Sequence, residues 1–405
     1  MISLEDALAA YAQNLQALPA ETIPVSQALH RVLAQAQNSN TDLPRFDQSA
    51  MDGYAFRAID VAAASPALPV RLPVGLHLAA GAHEPVPALP AQAAARILTG
   101  APLPTDADTV IPQERVTLES DTLIFVEPYP TQRNIRWRGE ELKRGAAVAA
   151  AGQRVTPGLL ASLVNAGKRQ LRVIRQPRIH VLITGDEIRP AGATLKTGEI
   201  YDSNGPLIGA VLQRWGYPAP VIEQVRDDPF VVKHVLERAF SEADLVLSAG
   251  GASVGDHDFL PATAEALGLR RVFWKVAQKP AKPLFFGVRD NRAHLALPGN
   301  PGAVLISLAL HVRRALDCLE GAAEPGPAWH PARLAQPVQR DAQRVRLLRM
   351  RLDYADDGTA LLQPLPKQDS HMLSNLAAAQ VLAWVPIGDG ECETGSVLRW
   401  TALPD

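Results

Sequence analysis

The chain has little cysteine, few aromatic residues and almost no excess of charge of either sign. Its two cysteines, Cys318 and Cys392, lie far apart with no Cys-x-x-Cys spacing, which argues against a disulfide framework or a structural zinc site. The 40 Lys and Arg residues against 42 Asp and Glu leave a net charge of -2, unlike the basic surface that nucleic-acid binding requires. We therefore expect no nucleic-acid partner, and any anion site must be local.

Long apolar runs are also missing, since no stretch approaches the roughly 18 consecutive apolar residues of a transmembrane helix. This argues against a membrane-spanning chain and a membrane partner. The N-terminal residues MISLED are acidic where a signal peptide is basic. Together with the low cysteine content, they predict a cytoplasmic protein.

Proline is abundant, at 34 of 405 residues, and the chain length predicts two to four domains. Apolar residues at helical spacing predict a helix over 3–18, and a second helix is expected after Ser26. From 41 to 145 short β-like runs interrupted by prolines predict an inserted β-rich domain. The flanking segments 1–40 and 146–176 are predicted to form one discontinuous helical and β domain.

Between residues 178 and 320, apolar runs alternate four times with helical patterns. This alternation predicts a mostly parallel, doubly wound α/β sheet in a domain spanning 177–326. The helices are expected at 204–215, 229–242, 260–267 and 301–316. The remaining β-like segment, 327–405, is predicted to form a small C-terminal β-barrel.

Three Gly-containing loops follow strands of this predicted sheet: TGDE at 184–187, AGGASVGDHD at 249–258 and LPGNPG at 297–302. Each alone has an ordinary explanation, because turns and helix caps favour Gly, Asp and Asn. Ligands of doubly wound domains bind at the carboxyl ends of the strands, so the three loops together indicate a phosphate site. The acids in the first two loops would repel phosphate unless a hard cation lay between them, which implies Mg²⁺.

The same middle loop allows a competing interpretation, because GASVG at 251–255 matches the G-x-S-x-G nucleophile elbow of serine hydrolases. That elbow requires a helix immediately after the serine, whereas DHD at 256–258 and Pro261 follow here. We therefore treat the match as chance and hydrolase chemistry as a minor alternative.

Two groups of basic residues suit anion binding. Lys275, Lys279 and Lys282 lie in a segment restrained by two prolines, which is either a solvated charged loop or, as we favour, a phosphate-neutralising one. The arginines at 340, 344, 346, 349 and 351 lie on a predicted strand, where a solvated face is the more common explanation.

Nine motifs occur in chain order over nearly the whole sequence. They are PRFDQSAMDGYA at 44–55, RILTGAPLP at 96–104, NIRWRGE at 134–140, TGDE at 184–187, YDSN at 201–204, RDDP at 226–229, GGASVG at 250–255, KPAKP at 279–283 and LPGNP at 297–301. Together they resemble the MoeA type of molybdopterin molybdenumtransferase, a family related to the gephyrin E domain.

The resemblance implies a homodimer of four-domain subunits, in which the α/β domain is a MogA-like molybdopterin-binding domain. It also implies a reaction that needs Mg²⁺: molybdate is inserted into adenylylated molybdopterin, AMP is released and the molybdenum cofactor is formed. The implied transient partners are a MogA-type adenylyltransferase and molybdoenzyme maturation proteins.

Matching the family's motifs residue by residue gives an expected site. The catalytic set is Asp52, Thr99, Glu141, Glu187 and Asp258, of which Glu187 and Asp258 are expected to hold Mg²⁺. The substrate-binding set is Asp186, Asp227, Gly250, Gly251, Ser253, Gly255, Lys275, Lys279, Lys282, Pro298, Pro301, Arg349 and Ser370.

Two positions depart from the family pattern. The family usually has Gly-Glu-Asp where this chain has Gly139-Glu-Glu141, so the matching carboxylate lies one methylene further from its backbone. His30 stands where the family often carries Gly, a difference we interpret as structural.

Two other functions are compatible with the sequence. One is a non-catalytic molybdopterin-binding scaffold, and the other is a MogA-like adenylyltransferase or nucleotide hydrolase that uses only the α/β domain. The acids and lysines favour catalysis over a scaffold, and the motifs of the inserted domain would have no role in the third function.

Overall fold

The computed structural model describes residues 1–81, 85–250 and 259–404. The chain divides into two units, a smaller one of residues 36–150 and 157–170 and a larger one of residues 1–35, 151–156 and 171–405. The boundaries of the four domains given above remain a prediction.

The smaller unit is built on a six-stranded β-sheet. Its strands lie in the order Thr109–Pro112, Gly53–Phe56, Ala94–Ile97, Val70–Leu78, Thr122–Phe125 and Thr117–Glu119. Side chains alternate between the two faces of the sheet, so that Tyr54 and Phe56 enter one apolar cluster and Ala55 enters another. Both faces are therefore covered. The remaining elements are the short strands Gln37–Asn38, Gln48–Ser49, Ile135–Arg136 and Ala147–Ala149, the 3₁₀ turns Ala58–Val61 and Gln113–Arg115, and the helix Pro157–Asn165.

The larger unit begins with the helix Leu4–Asn14, whose N-cap Ser3 accepts a hydrogen bond from the Asp6 amide at 3.0 Å. The helix ends four residues earlier than predicted, because Leu15 adopts an extended conformation. The helix expected after Ser26 is also wrong. Those residues form only the 3₁₀ turn Val25–Gln27, after the strand Ala20–Pro24, which pairs with Gln170–Ile174.

A six-stranded sheet forms the centre of the larger unit. Its strands lie in the order Val221–Val225, Ile179–Thr184, Leu245–Ala249, Arg292–Leu297, Phe285–Arg289 and Arg270–Trp274. The first four strands are parallel, which confirms the doubly wound prediction, and the last two continue the sheet in antiparallel pairs. These two strands are absent from the predicted pattern.

Helices flank this sheet close to their predicted positions. They are Asn204–Arg214, Pro229–Glu242, Phe259–Ala266, Pro301–Ser307 and Arg313–Leu319. The last two are joined by a π-helical turn, Leu308–Val312, so the segment 301–319 is one interrupted helix. The short strands Ile188–Arg189 and Ile200–Tyr201 pair beside the sheet. No helix in the described ranges is long and apolar enough to cross a membrane.

The C-terminal segment is a closed β-barrel of five strands, as predicted. In order around the barrel they are Val345–Tyr354, Ala360–Pro364, His330–Leu334, Val397–Ala402 and Val381–Val385, and the last pairs back with the first. A sixth short strand, Gln278–Lys279, pairs with the first barrel strand from outside. The pair Val338–Gln339 and Glu391–Cys392 and the 3₁₀ turn Leu376–Ala378 complete this segment.

A buried group of charges joins three parts of the larger unit. Arg154 donates to Asp317 and to Glu320, each at 2.6 Å, and also to the His30 carbonyl at 2.6 Å. Arg313 donates to Asp317 at 2.6 Å, and the Tyr217 hydroxyl donates to Glu320 at 2.8 Å. Because Glu320 is only 1% exposed, its charge depends on these partners rather than on water.

His30 shows why Gly is favoured at its position. Its φ of 66° lies in the left-handed region, and a Cβ on Gly216 would meet the His30 ring. The His30 ring therefore packs against the Gly216 backbone, which supports the interpretation that His30 has a structural role.

Replacing Arg154 with Met should destabilise the larger unit by about 3 kcal/mol, because two buried carboxylates would then share Arg313. Urea unfolding followed by tryptophan fluorescence measures this loss, since five of the six tryptophans lie outside residues 36–170. Arg351→Met is the matched control, because its ion pair with Asp353 is solvent-exposed and should contribute less than about 1 kcal/mol. Equal losses in the two variants would contradict the assigned role.

Candidate functional site

The three Gly-containing loops begin at one edge of the parallel sheet, because the strands before them are neighbours there. Gly250 has a φ of 96°, and a Cβ at this position would lie 2.5 Å from the Thr184 carbonyl oxygen. A Cβ on Gly299 would lie 3.6 Å from the Gly250 Cα. Only glycine at position 250 allows the loops after Thr184 and Ala249 to approach this closely.

Polar side-chain atoms remain unpaired at this edge. Thr184 Oγ1 and Asn204 Oδ1 are buried and have no hydrogen-bond partner in the described part of the chain. The Asn204 amide donates to the Gly299 carbonyl at 2.7 Å and so joins the YDSN motif to the LPGNP loop. Asn204 received no role from the sequence, although it lies in one of the nine motifs. Four expected site residues, Gly251, Ser253, Gly255 and Asp258, lie outside the described residues.

Acidic side chains follow two adjacent strands of the sheet. Asp186 and Glu187 are exposed after Ile179–Thr184, and Asp227 follows Val221–Val225. The Asp227 amide donates to Asp186 Oδ1 at 3.3 Å, so the structure brings these acids together. No group of three His, Cys, Asp or Glu side chains within the described ranges could hold a metal alone.

A basic pocket of about 430 Å³ lies between the KPAKP loop and the barrel. Its wall comprises residues 278–283, 344, 346–348 and 368–371. The lining includes the cationic residues Lys279, Lys282, Arg344 and Arg346, against one acid, Asp369. Arg344 also forms an ion pair with Asp341 at 2.7 Å, which partly neutralises its positive charge. The pocket remains positive and is suited to an anion.

Two further basic residues expected at the site have different positions. Lys275 does not line this pocket, since its ammonium lies 4.6 Å from the centre of the Trp274 ring in a cation–π contact. Arg349 is completely buried, and burial lowers the pKa of its guanidinium. The arginines of this strand therefore do not all form a solvated face.

Arg349 supports the pocket wall from within. Its Nη2 donates to the carbonyls of Lys367 and Asp369 at 2.9 and 3.2 Å, while Nε and Nη1 have no partner among the described residues. A Cβ on Gly302 would collide with Arg349 Nη1, so glycine is required there. Arg349 thereby fixes the backbone that carries Ser370.

The LPGNP loop holds Ser370 from the other side. The side-chain amide of Asn300 donates to Ser370 Oγ at 2.8 Å. The backbone amide of Gly302 donates to the Ser370 carbonyl at 3.0 Å. Pro298 and Pro301 lie in this loop, and Pro301 is the first residue of the helix Pro301–Ser307. Asn300 received no role from the sequence, although it lies within a quoted motif, and the structure shows that its side chain contacts Ser370.

The smaller unit contains a second group of expected site residues. The Asp52 carboxylate accepts hydrogen bonds from the Thr99 amide at 2.7 Å and from its hydroxyl at 2.8 Å. These bonds, the backbone one foremost, lower the pKa of Asp52. Glu141 is exposed, and its amide donates to the Leu43 carbonyl at 3.0 Å. The structure therefore pairs Asp52 with Thr99.

Thr99→Val should raise the pKa of Asp52 without restoring its ordinary value, because the backbone amide still donates after the hydroxyl is lost. Since folding lowers this pKa, ionised Asp52 stabilises the fold above its unfolded pKa. That contribution disappears as the pH falls through the folded pKa. A carboxyl-carbon NMR titration measures the shift, with Thr117→Val on an exposed strand as control. An unchanged Asp52 titration would show that the hydroxyl bond is not formed in solution.

Models of known families match the chain along its length. A model of the MoeA N-terminal region (domain I and II) matches residues 2–167, and one of a probable molybdopterin binding domain matches 180–317. A model of the MoeA C-terminal region (domain IV) matches 331–403.

Individual proteins show the same similarity. The chain is 34% identical over 390 residues to a molybdopterin molybdenumtransferase of Synechococcus elongatus, covering 95% of each chain. It is 30% identical over 402 residues to one of Staphylococcus aureus, covering 97% of this chain and 94% of the relative. A crystal structure of a molybdopterin biosynthesis MoeA protein from Pyrococcus horikoshii covers 99% of this chain and 100% of its own, with a TM-score of 0.81 and 26% identity. These matches confirm the resemblance, and the chain belongs to the molybdopterin molybdenumtransferase family of molybdenum cofactor biosynthesis enzymes.

Proposed function

We propose that this chain catalyses insertion of molybdate into adenylylated molybdopterin, with Mg²⁺ as the required cation and AMP as the released product. The observation that carries the proposal is the basic pocket, in which Lys279, Lys282, Arg344 and Arg346 surround about 430 Å³. This space and charge suit a tetrahedral dianion beside a phosphate. In the reaction, the two dithiolene sulfurs bind molybdenum while one molybdate oxo group leaves as water with the two thiol protons. A second water cleaves the phosphoanhydride bond of the adenylylated substrate, and AMP is released.

Ser370 adds a hydrogen-bond donor to these cations. Its Oγ accepts from the Asn300 amide at 2.8 Å, which uses a lone pair and leaves the hydroxyl hydrogen available to an oxyanion. Arg349 and Gly302 hold the Ser370 backbone, so the hydroxyl is placed before the ligand arrives. The pocket therefore binds and orients the oxyanion with groups that are already ordered.

The donor chemistry at the sheet edge fits Mg²⁺. This ion prefers oxygen ligands, keeps several waters and is commonly held by one or two carboxylates together with substrate phosphates. Glu187 and Asp258 would hold it, so a complete protein ligand set is unnecessary. When bound, the ion supplies positive charge to the phosphate oxygens of the substrate.

Asp52 and Thr99 are proposed to act in the same reaction. The hydrogen bonds from Thr99 lower the pKa of Asp52 further and orient its carboxylate, which serves as a hydrogen-bond acceptor for the substrate or for an attacking water. Glu141 is proposed to contribute a further carboxylate, with its extra methylene accommodated by the exposed loop.

The alternative of an adenylyltransferase confined to the α/β domain leaves part of this pocket without a role. Arg344, Arg346 and Ser370 belong to the C-terminal segment, yet they line the pocket together with the KPAKP loop. We propose instead that a separate MogA-type adenylyltransferase supplies the substrate and that maturation proteins receive the product. A homodimer in the cytoplasm is part of the same proposal.

The direct test mixes the purified full chain with adenylylated molybdopterin and Mg²⁺ and follows AMP release with and without molybdate. We expect release to depend on both molybdate and Mg²⁺ and to be accompanied by active cofactor. Tungstate is a useful comparison because it has nearly the same size and charge. Binding of the pterin without AMP release would favour the scaffold alternative, and Glu141→Asp would then be the first variant to examine.

Glu187→Gln should lower the rate of AMP release by about 100-fold, because it removes a negative ligand of the cation while conserving side-chain size. Raising the Mg²⁺ concentration should restore part of the rate. Glu237→Gln on the exposed face of the helix Pro229–Glu242 is the matched control. Full activity of Glu187→Gln at low Mg²⁺ would remove Glu187 from the site, provided that both variants unfold at the same temperature.

A further inference from the structure

Three buried polar side chains form a continuous chain of hydrogen bonds that ends at the KPAKP loop. The Tyr11 hydroxyl lies 3.1 Å from His311 Nδ1, and His311 Nε2 lies 3.0 Å from Gln278 Oε1. Gln278 Nε2 then donates to the Ala281 carbonyl at 2.9 Å. Tyr11, His311 and Gln278 are completely buried, and we call these three residues the buried relay.

The donors and acceptors of the buried relay allow one consistent arrangement. The Ala281 carbonyl accepts only, so the amide nitrogen of Gln278 faces it and the amide oxygen faces His311. His311 must then carry its proton on Nε2, and its Nδ1 accepts from the Tyr11 hydroxyl. Burial lowers the pKa of His311 to about 3, which agrees with this neutral tautomer. Each ring nitrogen of His311 therefore has one hydrogen-bond partner.

The backbone departs from regular geometry where the buried relay needs it. His311 lies in the π-helical turn Leu308–Val312, and such turns are frequent at functional sites. Ala281 has a φ of 67°, a left-handed conformation that costs a non-glycine residue free energy. The side-chain amide of Gln278 donates a hydrogen bond to the Ala281 carbonyl and so stabilises the strained turn.

The strained turn lies between the two lysines of the pocket. Gln278 and Lys279 are successive residues of a strand, so their side chains leave on opposite sides. Gln278 is completely buried, whereas Lys279 and Lys282 are exposed at the pocket. A change at Gln278 would therefore reach the ammonium groups through the backbone of residues 279–282.

We propose that the buried relay is a positioning device: it fixes the turn at Ala281 so that Lys279 and Lys282 converge on one tetrahedral oxyanion. The inference rests on the proposed function for the identity of that oxyanion as molybdate. Tyr11, His311 and Gln278 are positioning residues, because these residues have no exposed surface and act on the ligand through the loop backbone. Their loss weakens oxyanion binding and leaves the reacting groups in place.

The primary test is Gln278→Leu in the full chain, with molybdate and separately sulfate as probes in equilibrium dialysis. We expect about tenfold weaker binding, which is the upper range for one hydrogen bond. In turnover, KM for molybdate should rise by the same factor while kcat at saturating molybdate stays unchanged. Amide hydrogen exchange within residues 279–283 should become faster.

Tyr11→Phe tests the far end of the buried relay and conserves packing. It should raise KM for molybdate about threefold, because His311 Nδ1 loses its hydrogen-bond donor and the ring is held less firmly. Tyr217→Phe is the matched control: it removes another buried tyrosine hydroxyl of the same unit, one bonded to Glu320 and not to the relay. This control should lower the unfolding temperature without changing KM.

A pair of substitutions at His311 separates positioning from packing. The amide nitrogen of Gln reaches the place of the imidazole Nε2, so His311→Gln should retain the bond to Gln278 and near-normal KM. His311→Leu fills similar space without a donor and should behave like Gln278→Leu. Equal KM values for both variants would contradict positioning through this bond.

Lys279→Ala distinguishes failure of this inference from failure of the proposed function. If Lys279→Ala weakens molybdate binding while Gln278→Leu and Tyr11→Phe bind as the unchanged chain does, the relay has no positioning role and the pocket stands. If Lys279→Ala has no effect, or the unchanged chain binds no oxyanion, the pocket itself is wrongly assigned and the inference falls with it. Should Gln278→Leu fail to fold, Tyr11→Phe and its control decide the question.

Discussion

Pairing of the strand Gln278–Lys279 with the barrel strand Val345–Tyr354 determines where the basic pocket lies. In this register Gln278 stands beside Val345 and Lys279 beside Arg346, so one lysine and one arginine reach the same side. The Val345 amide also donates to the Ala277 carbonyl at 3.0 Å. A slip of one residue would bury the lysine in place of the glutamine, which would remove Lys279 from the pocket and break the buried relay.

This arrangement separates two kinds of charge within a chain whose net charge is only -2. The carboxylates after Thr184 and Val225 lie at the carboxyl edge of the parallel sheet, where a cation and phosphates are commonly bound. The cations lie around the KPAKP loop and the barrel strand. Because each group is local, a substrate with phosphates, a metal ion and a second oxyanion can meet opposite charges at different points.

Local sequence patterns predicted the features that depend on neighbouring residues. The helices Asn204–Arg214 and Pro229–Glu242 match the predicted spans within one residue, because apolar spacing and caps define them. The sequence did not predict two strands of the sheet, Arg270–Trp274 and Phe285–Arg289, because charged residues and a glycine interrupt their apolar pattern. These two strands are instead joined to the sheet by antiparallel pairing. The motifs predicted that Asp52 and Thr99 belong to the site, but only the fold shows their hydrogen bonds.

The buried relay had no local signal, because Tyr11 and His311 are 300 positions apart and meet only after the larger unit has folded. Its consequence is a loop that is ordered before any ligand binds. Lys275, with a φ of 68°, donates to the Leu284 carbonyl at 3.0 Å and accepts from the Ile2 amide at 3.0 Å, while Gln278 holds Ala281. Ordering a flexible loop on binding would oppose affinity through lost conformational entropy. A loop that is fixed during folding has already lost this entropy, so in the proposed function Lys279 and Lys282 would bind the oxyanion without that cost.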